Sequence, residues 1–185
     1  MAAILSSRAV ALLVGTALLL PAHAQRIYKD SKYHYSLQVP AGWNLDVNDS
    51  VPILFNFPPS QAGPQGLFPD HGSEIFLIPL AEVQAVVNAK TVDEWIHGNL
   101  TRDYSAISIS QLPAEHGDKA PQSITKVEAD FQRGPDEELQ REISYYFALR
   151  GHLFRLILRY WKDDSRAARH RAACLSVLGS IRSTD

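Results

Sequence analysis

The stretch REISYYFALRGHLFRLILRYW, residues 141–161, decides the fold more than any other part of this 185-residue chain. Two runs that alternate large apolar and polar residues, Arg141–Leu149 and Leu153–Trp161, flank the dipeptide Arg150-Gly151. Alternation with a period of two predicts strands, and a short break containing glycine predicts a tight turn between them. We therefore predict a β-hairpin of two long strands.

A two-residue turn also predicts the register of this hairpin. One face joins the large apolar residues, in the pairs Leu149 with His152, Phe147 with Phe154, Tyr145 with Leu156 and Ile143 with Leu158. The other face holds the pairs Tyr146 with Arg155, Ser144 with Ile157 and Glu142 with Arg159. A slip of one residue would place Arg155 and Arg159 in the apolar core, so this register is strongly favoured. We expect a cation–π contact between Arg155 and Tyr146, and an ion pair between Glu142 and Arg159.

The rest of the chain supplies further strands and two helices. Apolar patterns predict two short strands within Tyr28–Val39 and single strands at Val51–Phe57, Glu74–Ala81, Ala106–Leu112 and Ser123–Arg133. The capping box Thr91-Val92-Asp93-Glu94 begins a helix with an apolar side of Val92, Trp95, Ile96, Leu100 and Tyr104. A last helix follows Asp163-Asp164-Ser165, with an apolar stripe of Ala167, the Arg171 stem, Cys174, Leu175, Leu178 and Ile181. This order predicts a single α+β domain over residues 25–185, with six to eight mainly antiparallel strands packed on helices.

The first 24 residues have the pattern of a cleavable export signal. Arg8 precedes an apolar run from Ala9 to Leu20, and Ala22-His23-Ala24 has the A-x-A pattern of a cleavage site. The apolar run is shorter than the roughly 20 residues that a membrane-spanning helix needs. We therefore expect residues 1–24 to be removed, no permanent membrane anchor, and a mature chain in a bacterial periplasm or outside the cell.

Charge and cysteine content narrow the function further. With 18 Lys and Arg against 20 Asp and Glu, the formal charge is −2. The chain lacks the basic excess that neutralises phosphates, so nucleic acid is not an expected partner. Cys174 is the single cysteine, so the chain forms no internal disulfide, which suits a bacterial periplasm. Its place on the apolar stripe predicts a buried structural thiol.

The opening YKDSKYHYSLQVPAGW, residues 28–43, resembles the start of PsbP-like domains. The residues that match that pattern are framework residues, Tyr33, Tyr35, Val39, Pro40, Gly42 and Trp43. The Tyr145-Tyr146-Phe147 strand, the Gly151 hairpin and the final helix are similar too. The resemblance implies an antiparallel sheet sandwiched between helices, the fold shared by photosystem accessory proteins and a Ran-binding Mog-type import factor. It also implies protein binding without a shared catalytic centre, and it carries no functional site to this chain. The lipid-anchor cysteine of photosynthetic bacterial members is missing here.

Catalytic and nucleotide-binding motifs are missing from the sequence. It contains no glycine-rich phosphate loop, no G-x-S-x-G, no H-E-x-x-H and no paired C-x-x-C. We therefore expect a protein that is not an enzyme and has no cofactor. The alternative is a periplasmic small-ligand or divalent-metal-binding protein that uses Asp70, His71 and Glu74, which lie close together in the chain and supply nitrogen and oxygen ligands.

Two features predict contact with another protein. The Pro58–Gly72 loop contains four prolines and three glycines, and no local pattern buries Leu67 and Phe68 in its middle. The second feature is the charged face of the hairpin, with Tyr146, Glu142, Arg155 and Arg159, because an arginine beside an aromatic ring can hold a carboxylate. The competing interpretations are a merely solvated face and a loop that folds over the sheet edge. The leading hypothesis is an exported, non-catalytic accessory or binding protein that acts through protein–protein contacts.

Overall fold

Ten strands and one α-helix make up the described part of the chain. It comprises residues 26–49, 51–61, 69, 71–80, 104–113, 119–132 and 138–185 of a computed structural model. The strands are β1 (Arg26–Asp30), β2 (Tyr35–Val39), β3 (Asn44–Asn48), β4 (Val51–Phe55), β5 (Ser73–Pro79), β6 (Tyr104–Gln111), β7 (Gln122–Phe131), β8 (Gln140–Leu149), β9 (His152–Trp161) and β10 (Arg182–Ser183). Helix α1 spans Ala167–Ser180, and Pro59–Gln61 forms a short 3₁₀ turn.

These strands form two sheets in which every neighbouring pair is antiparallel. The larger sheet has seven strands in the order β3-β4-β5-β9-β8-β7-β6, so β3 and β6 are its edges. The smaller sheet has the order β1-β2-β10. The predicted antiparallel α+β architecture is confirmed, and the described residues contain one helix of the two that were predicted.

The β8–β9 hairpin has the predicted register, and all seven predicted residue pairs occur. At its turn, Arg150 and Gly151 both have positive φ, 52° and 78°. Two central residues with positive φ are the requirement of a type I′ turn, whose twist matches that of the flanking strands. The local pattern was therefore sufficient to determine this element.

One face of the large sheet packs on α1 and on the small sheet. The buried cluster between them includes Leu54, Ile75, Leu77, Ile143, Tyr145, Phe147, Phe154, Leu156, Leu158, Tyr35, Leu37, Cys174 and Val177. Burying a large apolar side chain contributes about 1.5–3 kcal/mol, so this cluster is the main source of stability. The cluster contains the Cys174 thiol, so the prediction that this thiol is buried is confirmed. Burial raises the pKa of this thiol.

Helix α1 buries most of the predicted stripe, since Cys174, Leu178 and Ile181 are buried and Ala167 packs against the core. His170, Cys174, Val177 and Leu178 are buried, whereas Leu175 is 49% exposed. Residues three or four apart share a side of a helix, and the buried set follows this spacing. The prediction that Leu175 lies on the buried stripe was wrong. Hydrophobicity alone did not indicate that a polar residue, His170, takes an inward position.

One strand boundary and two additional strands also correct the sequence interpretation. Tyr104 begins β6 and does not extend the predicted middle helix, the rest of which lies outside the described residues. The short strands β3 and β10 were not predicted, because β3 is an edge with polar residues at both ends and β10 has only two residues. The predicted export signal also lies outside the described residues. Within these residues, no helix is long and apolar enough to cross a membrane.

Candidate functional site

A groove lies at the β3 edge of the large sheet. It has a volume of about 570 Å³ and is lined by Leu45, Asp46, Val47, Asn48, Ile53, Phe55, Phe57, Pro59, Glu74 and Phe76. We call it the β3–β5 groove. Strand pairing builds it, since Ile53 faces Phe76 and Phe55 faces Glu74 between β4 and β5. Leu54 and Ile75 alternate with these residues and point into the core, so the groove opens on the other face of the sheet.

The β3–β5 groove combines an aromatic floor with acidic side chains. Phe55 and Phe57 lie with ring centroids 5.1 Å apart, and both are buried, as is Phe76. Asp46 is exposed at the β3 rim, while Glu74 is only 9% exposed. Among the described residues that line the groove there is neither lysine nor arginine, and Arg159 lies next to it, opposite Glu74 and over the Phe76 ring at 5.9 Å. The groove therefore offers apolar contact and negative charge in one place.

A cluster of charges lies on the same face, nearer the middle of the sheet. Arg155 Nη2 donates to Glu142 Oε1 at 2.6 Å, and Arg159 Nε donates to Glu142 Oε2 at 2.7 Å. The Arg155 Nε group donates to Ser144 Oγ at 3.0 Å, and the Tyr104 hydroxyl donates to Glu142 at 3.1 Å. These five residues form what we call the Glu142 cluster, in which each oxygen of the carboxylate accepts more than one hydrogen bond.

The Glu142 cluster is held in its ionised form. Burial by itself would raise the pKa of Glu142, but the two guanidinium groups of Arg155 and Arg159 lower it below its usual value. Burial acts to lower the pKa of Arg155, yet the facing Glu142 carboxylate raises it overall. Burial, followed by the same carboxylate, raises the pKa of Tyr104, so its hydroxyl stays a donor. The cluster is therefore a buried network in which an ionised Glu142, two arginines and two hydroxyl groups link β6, β8 and β9.

The predicted partner surface on this face is assembled but is not open to solvent. Arg155 stacks on the Tyr146 ring at 5.3 Å, and Arg159 pairs with Glu142, as predicted. Tyr146 is 1% and Glu142 3% exposed, while the Arg155 and Arg159 side chains are 13% and 16% exposed. The guanidinium groups are already engaged by Glu142, so a partner's carboxylate would have to displace it. Leu67 and Phe68, the other two residues of this prediction, lie outside the described residues.

The structure separates two residues of the predicted metal set. His71 Nδ1 lies 2.9 Å from Asp164 Oδ1, beside the start of α1. Glu74 lines the β3–β5 groove on the opposite face of the sheet. The third residue, Asp70, lies outside the described residues. Among the residues that the structure describes, no group of three or more His, Cys, Asp or Glu side chains is placed to hold a metal ion.

A second polar network, which no sequence pattern indicated, is centred on His170. Its Nε2 lies 2.9 Å from Asp164 Oδ2, and its Nδ1 lies 2.9 Å from Ser73 Oγ. Asn56 donates from Nδ2 toward the same Nδ1 at 3.3 Å and accepts the Ser73 N–H through Oδ1. These roles assign the proton of a neutral His170 to Nε2, facing Asp164. The network spans distant parts of the sequence, so no spacing motif could have indicated it.

Serine, histidine and aspartate in this order have the connectivity of a hydrolase triad, but the nucleophile is closed off. Ser73 is 0% exposed and does not line the neighbouring hollow of about 210 Å³, which is formed by Ala41, Gly42, Trp43, Asn56, Arg166, Arg169 and His170. A catalytic serine must reach a substrate carbonyl. Asp164 also accepts the Arg166 N–H at 2.7 Å, so the network fixes the start of α1 on β5.

Comparisons with known proteins find similarity in structure but not in sequence. No protein-family model matches the chain, and no curated protein sequence matches it. A Bacteroides thetaiotaomicron structure shares 8% identity at a TM-score of 0.48, over 87% of this chain and 49% of its own. The chain thus spans about half the length of that protein.

Two further matches have sizes closer to that of this chain. The Ran-binding protein Mog1p of Saccharomyces cerevisiae shares 11% identity at a TM-score of 0.45, over 87% of this chain and 96% of its own. The cyanobacterial PsbP of Synechocystis shares 13% identity at a TM-score of 0.42, over 92% of this chain and 98% of its own. Both proteins have the fold that the opening motif implies, and at these identities the likeness is one of fold alone.

Proposed function

We propose that this chain is an exported, non-catalytic binding protein that holds an extended segment of another protein in the β3–β5 groove. The observation that carries the proposal is the make-up of the groove, in which a buried aromatic floor lies beside acidic side chains. Clefts that combine apolar walls with a few polar groups are the usual sites of recognition. We propose the groove as the binding surface instead of the charged hairpin face, because that face is largely buried.

The charges of the groove indicate the kind of segment that fits. Asp46 supplies an exposed negative charge at the β3 rim, and the lining residues that the structure describes include no Lys or Arg. Glu74 is buried and lies opposite Arg159 in the β5–β9 pair, so Asp46 is the acid most open to a partner. Complementary charge across an interface favours encounter and suppresses wrong partners. The expected ligand is therefore an extended peptide that alternates apolar and basic side chains, with the apolar ones on the floor formed by Phe55, Phe57 and Phe76.

The position of the groove also fits the loop that the sequence singled out. Phe57 and Pro59 line the groove. Phe57 directly precedes the Pro58–Gly72 loop, and Pro59 is the second residue of that loop. Loops beside a rigid sheet are common contributors to binding sites. We therefore place the docking of a partner at the groove and the adjoining loop, including Leu67 and Phe68.

The alternative, a small-ligand or divalent-metal-binding protein using Asp70, His71 and Glu74, stays a prediction. The described residues give it no supporting contact, since His71 and Glu74 face different sides of the sheet. It would require Asp70 to combine with His71 and the nearby acids Asp163 and Asp164, which line the same hollow as His71.

A pair of designed peptides tests the proposed function. The probes are a fluorescent dodecapeptide of alternating Lys and Val and its Glu and Val counterpart, and the readout is fluorescence anisotropy at low ionic strength. We expect the basic peptide to bind at least about tenfold more tightly than the acidic one, and Asp46→Asn to weaken that binding about threefold to tenfold.

The matched control is Asp163→Asn, which removes one exposed acid away from the groove. It should leave binding of the basic peptide unchanged. Equal binding of the two peptides, or equal losses in Asp46→Asn and Asp163→Asn, would contradict a groove selective for basic segments. Melting temperatures of both variants within a degree or two of the parent would show that the fold is intact.

A further inference from the structure

The hollow beside the start of α1 carries two arginine side chains that have no counter-charge. We call it the Arg166 hollow; its lining comprises Ala41, Gly42, Trp43, Asn56, Arg166, Arg169 and His170. Arg166 and Arg169 are exposed, and neither side chain forms an ion pair or a hydrogen bond with any residue that the structure describes. In the same part of the chain, a carboxylate contacts each of four other arginines, Arg141, Arg155, Arg159 and Arg171.

The surroundings of the Arg166 hollow add positive charge and no negative charge. Among the described residues that line it there is no acid. The acid closest in sequence, Asp164, has a side chain that is 1% exposed, and both of its oxygens are engaged by His71 and His170. A further cation lies beside the hollow, because Arg26 Nη2 donates to the Trp43 carbonyl oxygen at 2.7 Å. Guanidinium groups stay charged at every ordinary pH, so this concave surface favours an anion.

Asn56 adds a neutral hydrogen-bond donor to the same hollow. A neutral His170 with its proton on Nε2 offers one lone pair at Nδ1. Ser73 Oγ is the closer donor to this lone pair, at 2.9 Å against 3.3 Å for Asn56 Nδ2. The Asn56 amide carries two hydrogens, and among the described residues its Nδ2 has no other acceptor. At least one N–H of this amide is therefore available to a bound molecule.

The two arginines also occupy unusual positions for the start of a helix. Arg166 is the N-cap residue of α1, and Arg169 lies in the first turn, which contains no acidic residue. The partial positive charge of a helix N-terminus favours acidic side chains in this turn and disfavours cations. Departures from such local preferences are expected at functional sites. An anion bound between the two guanidinium groups would remove the repulsion.

We propose that the Arg166 hollow binds the phosphate group of a small, soluble phosphomonoester. Each guanidinium group presents a fork of N–H donors that matches two phosphate oxygens. A phosphomonoester carries a charge of about −2 near pH 7, which balances both arginines, whereas a single carboxylate balances one. Trp43 packs against the core and gives a fixed apolar wall for the organic part of the ligand.

This site is independent of the proposed peptide binding. The hollow lies on the face of the large sheet that carries α1, and the β3–β5 groove opens on the other face. Its volume of about 210 Å³ suits a phosphate with a small organic group. Loss of one activity should therefore leave the other intact, so the two proposals can fail separately.

Isothermal titration calorimetry of the purified chain at low ionic strength tests the site. The probes are phenyl phosphate, inorganic phosphate and benzoate. We expect both phosphates to bind, phenyl phosphate more tightly, and benzoate to bind at least about tenfold more weakly than phenyl phosphate. Arg166→Gln and Arg169→Gln should each weaken the binding of phenyl phosphate at least about tenfold, because each removes a charge-assisted contact.

The matched control is Arg150→Gln, which removes an exposed arginine at the β8–β9 turn. This turn adjoins the start of β9, whereas Tyr160 near the end of β9 pairs with Ser73, beside His170. Arg150→Gln should leave the binding of phenyl phosphate unchanged. Melting temperatures close to that of the parent would show that each variant is folded.

Four results would overturn the inference. They are no binding of either phosphate, equal binding of phenyl phosphate and benzoate, binding that neither Arg166→Gln nor Arg169→Gln weakens, and an equal loss in Arg150→Gln. Binding to phosphatidylcholine vesicles that contain phosphatidic acid, without binding to phenyl phosphate, would contradict a soluble ligand. If a glutamine variant does not fold, Arg166→Lys and Arg169→Lys keep the charge but lose the fork, and should still weaken binding about threefold.

Discussion

The two faces of the β8–β9 hairpin are both buried, but different forces hold them. On one face, Phe147 and Leu156 belong to the apolar core against α1, with 0% exposure each. On the other, Glu142 binds two arginines at 2.6 and 2.7 Å. The hydrophobic effect favours the first face, whereas the second must overcome the cost of desolvating three charges. Alternation thus shows which residues share a face, and it does not show whether that face meets water.

The largest expected effect is on the apolar face. Phe147→Ala should lower the free energy of unfolding by about 4 kcal/mol, because the lost side chain leaves a cavity in a packed core. Leu175→Ala, at a half-exposed position of α1, is the control and should change stability by less than about 0.5 kcal/mol. Urea unfolding followed by circular dichroism measures both. Similar losses of unfolding free energy in the two variants would contradict the burial of Phe147 in the core and the half-exposed position of Leu175 on α1.

A slightly smaller effect is expected on the charged face. Glu142→Gln should cost about 3 kcal/mol, because it leaves two buried guanidinium groups without their counter-charge. Replacing the whole set, with Glu142→Met, Arg155→Leu and Arg159→Met together, should recover roughly half of that loss or more. A loss below about 1 kcal/mol in Glu142→Gln would mean that solvent reaches the cluster. The same urea titrations provide the comparison.

The smallest effect is the dependence of stability on pH. The folded-state pKa of Glu142 lies below its usual value of 4.5, so its contribution is fully present above that value. The contribution is lost as the pH falls through 4.5 toward the lower folded pKa. Between about pH 6 and pH 3, stability should therefore fall more steeply in the parent protein than in Glu142→Gln. Parallel acid limbs would show that Glu142 is not ionised in the fold.

Much of the fold followed from local sequence, and the candidate site did not. The hairpin register depends on a turn and on alternation between neighbouring residues, and every predicted pair occurs. The exposed position of Leu175 and the buried position of His170 depend on hydrogen bonds that α1 makes with β5. The β3–β5 groove depends on β3, and the sequence pattern did not predict this strand because polar residues stand at both of its ends. Only the row Ile53, Phe55 and Phe57 signalled the floor of the groove.

By itself, the sequence determined the strands of the hairpin, their register and the cation–π and ion-pair contacts across it, because side chains alternate along any strand. It also determined that the stretch from Ser105 to Gln111 carries no charge. Only the tertiary structure decided that the charged face is buried, that β6 is an edge, and that Ser73 and Asp164 meet at His170. The physical reason is the order of strands in the sheet. That order sets which distant segments become neighbours, and periodicity among adjacent residues carries no information about it.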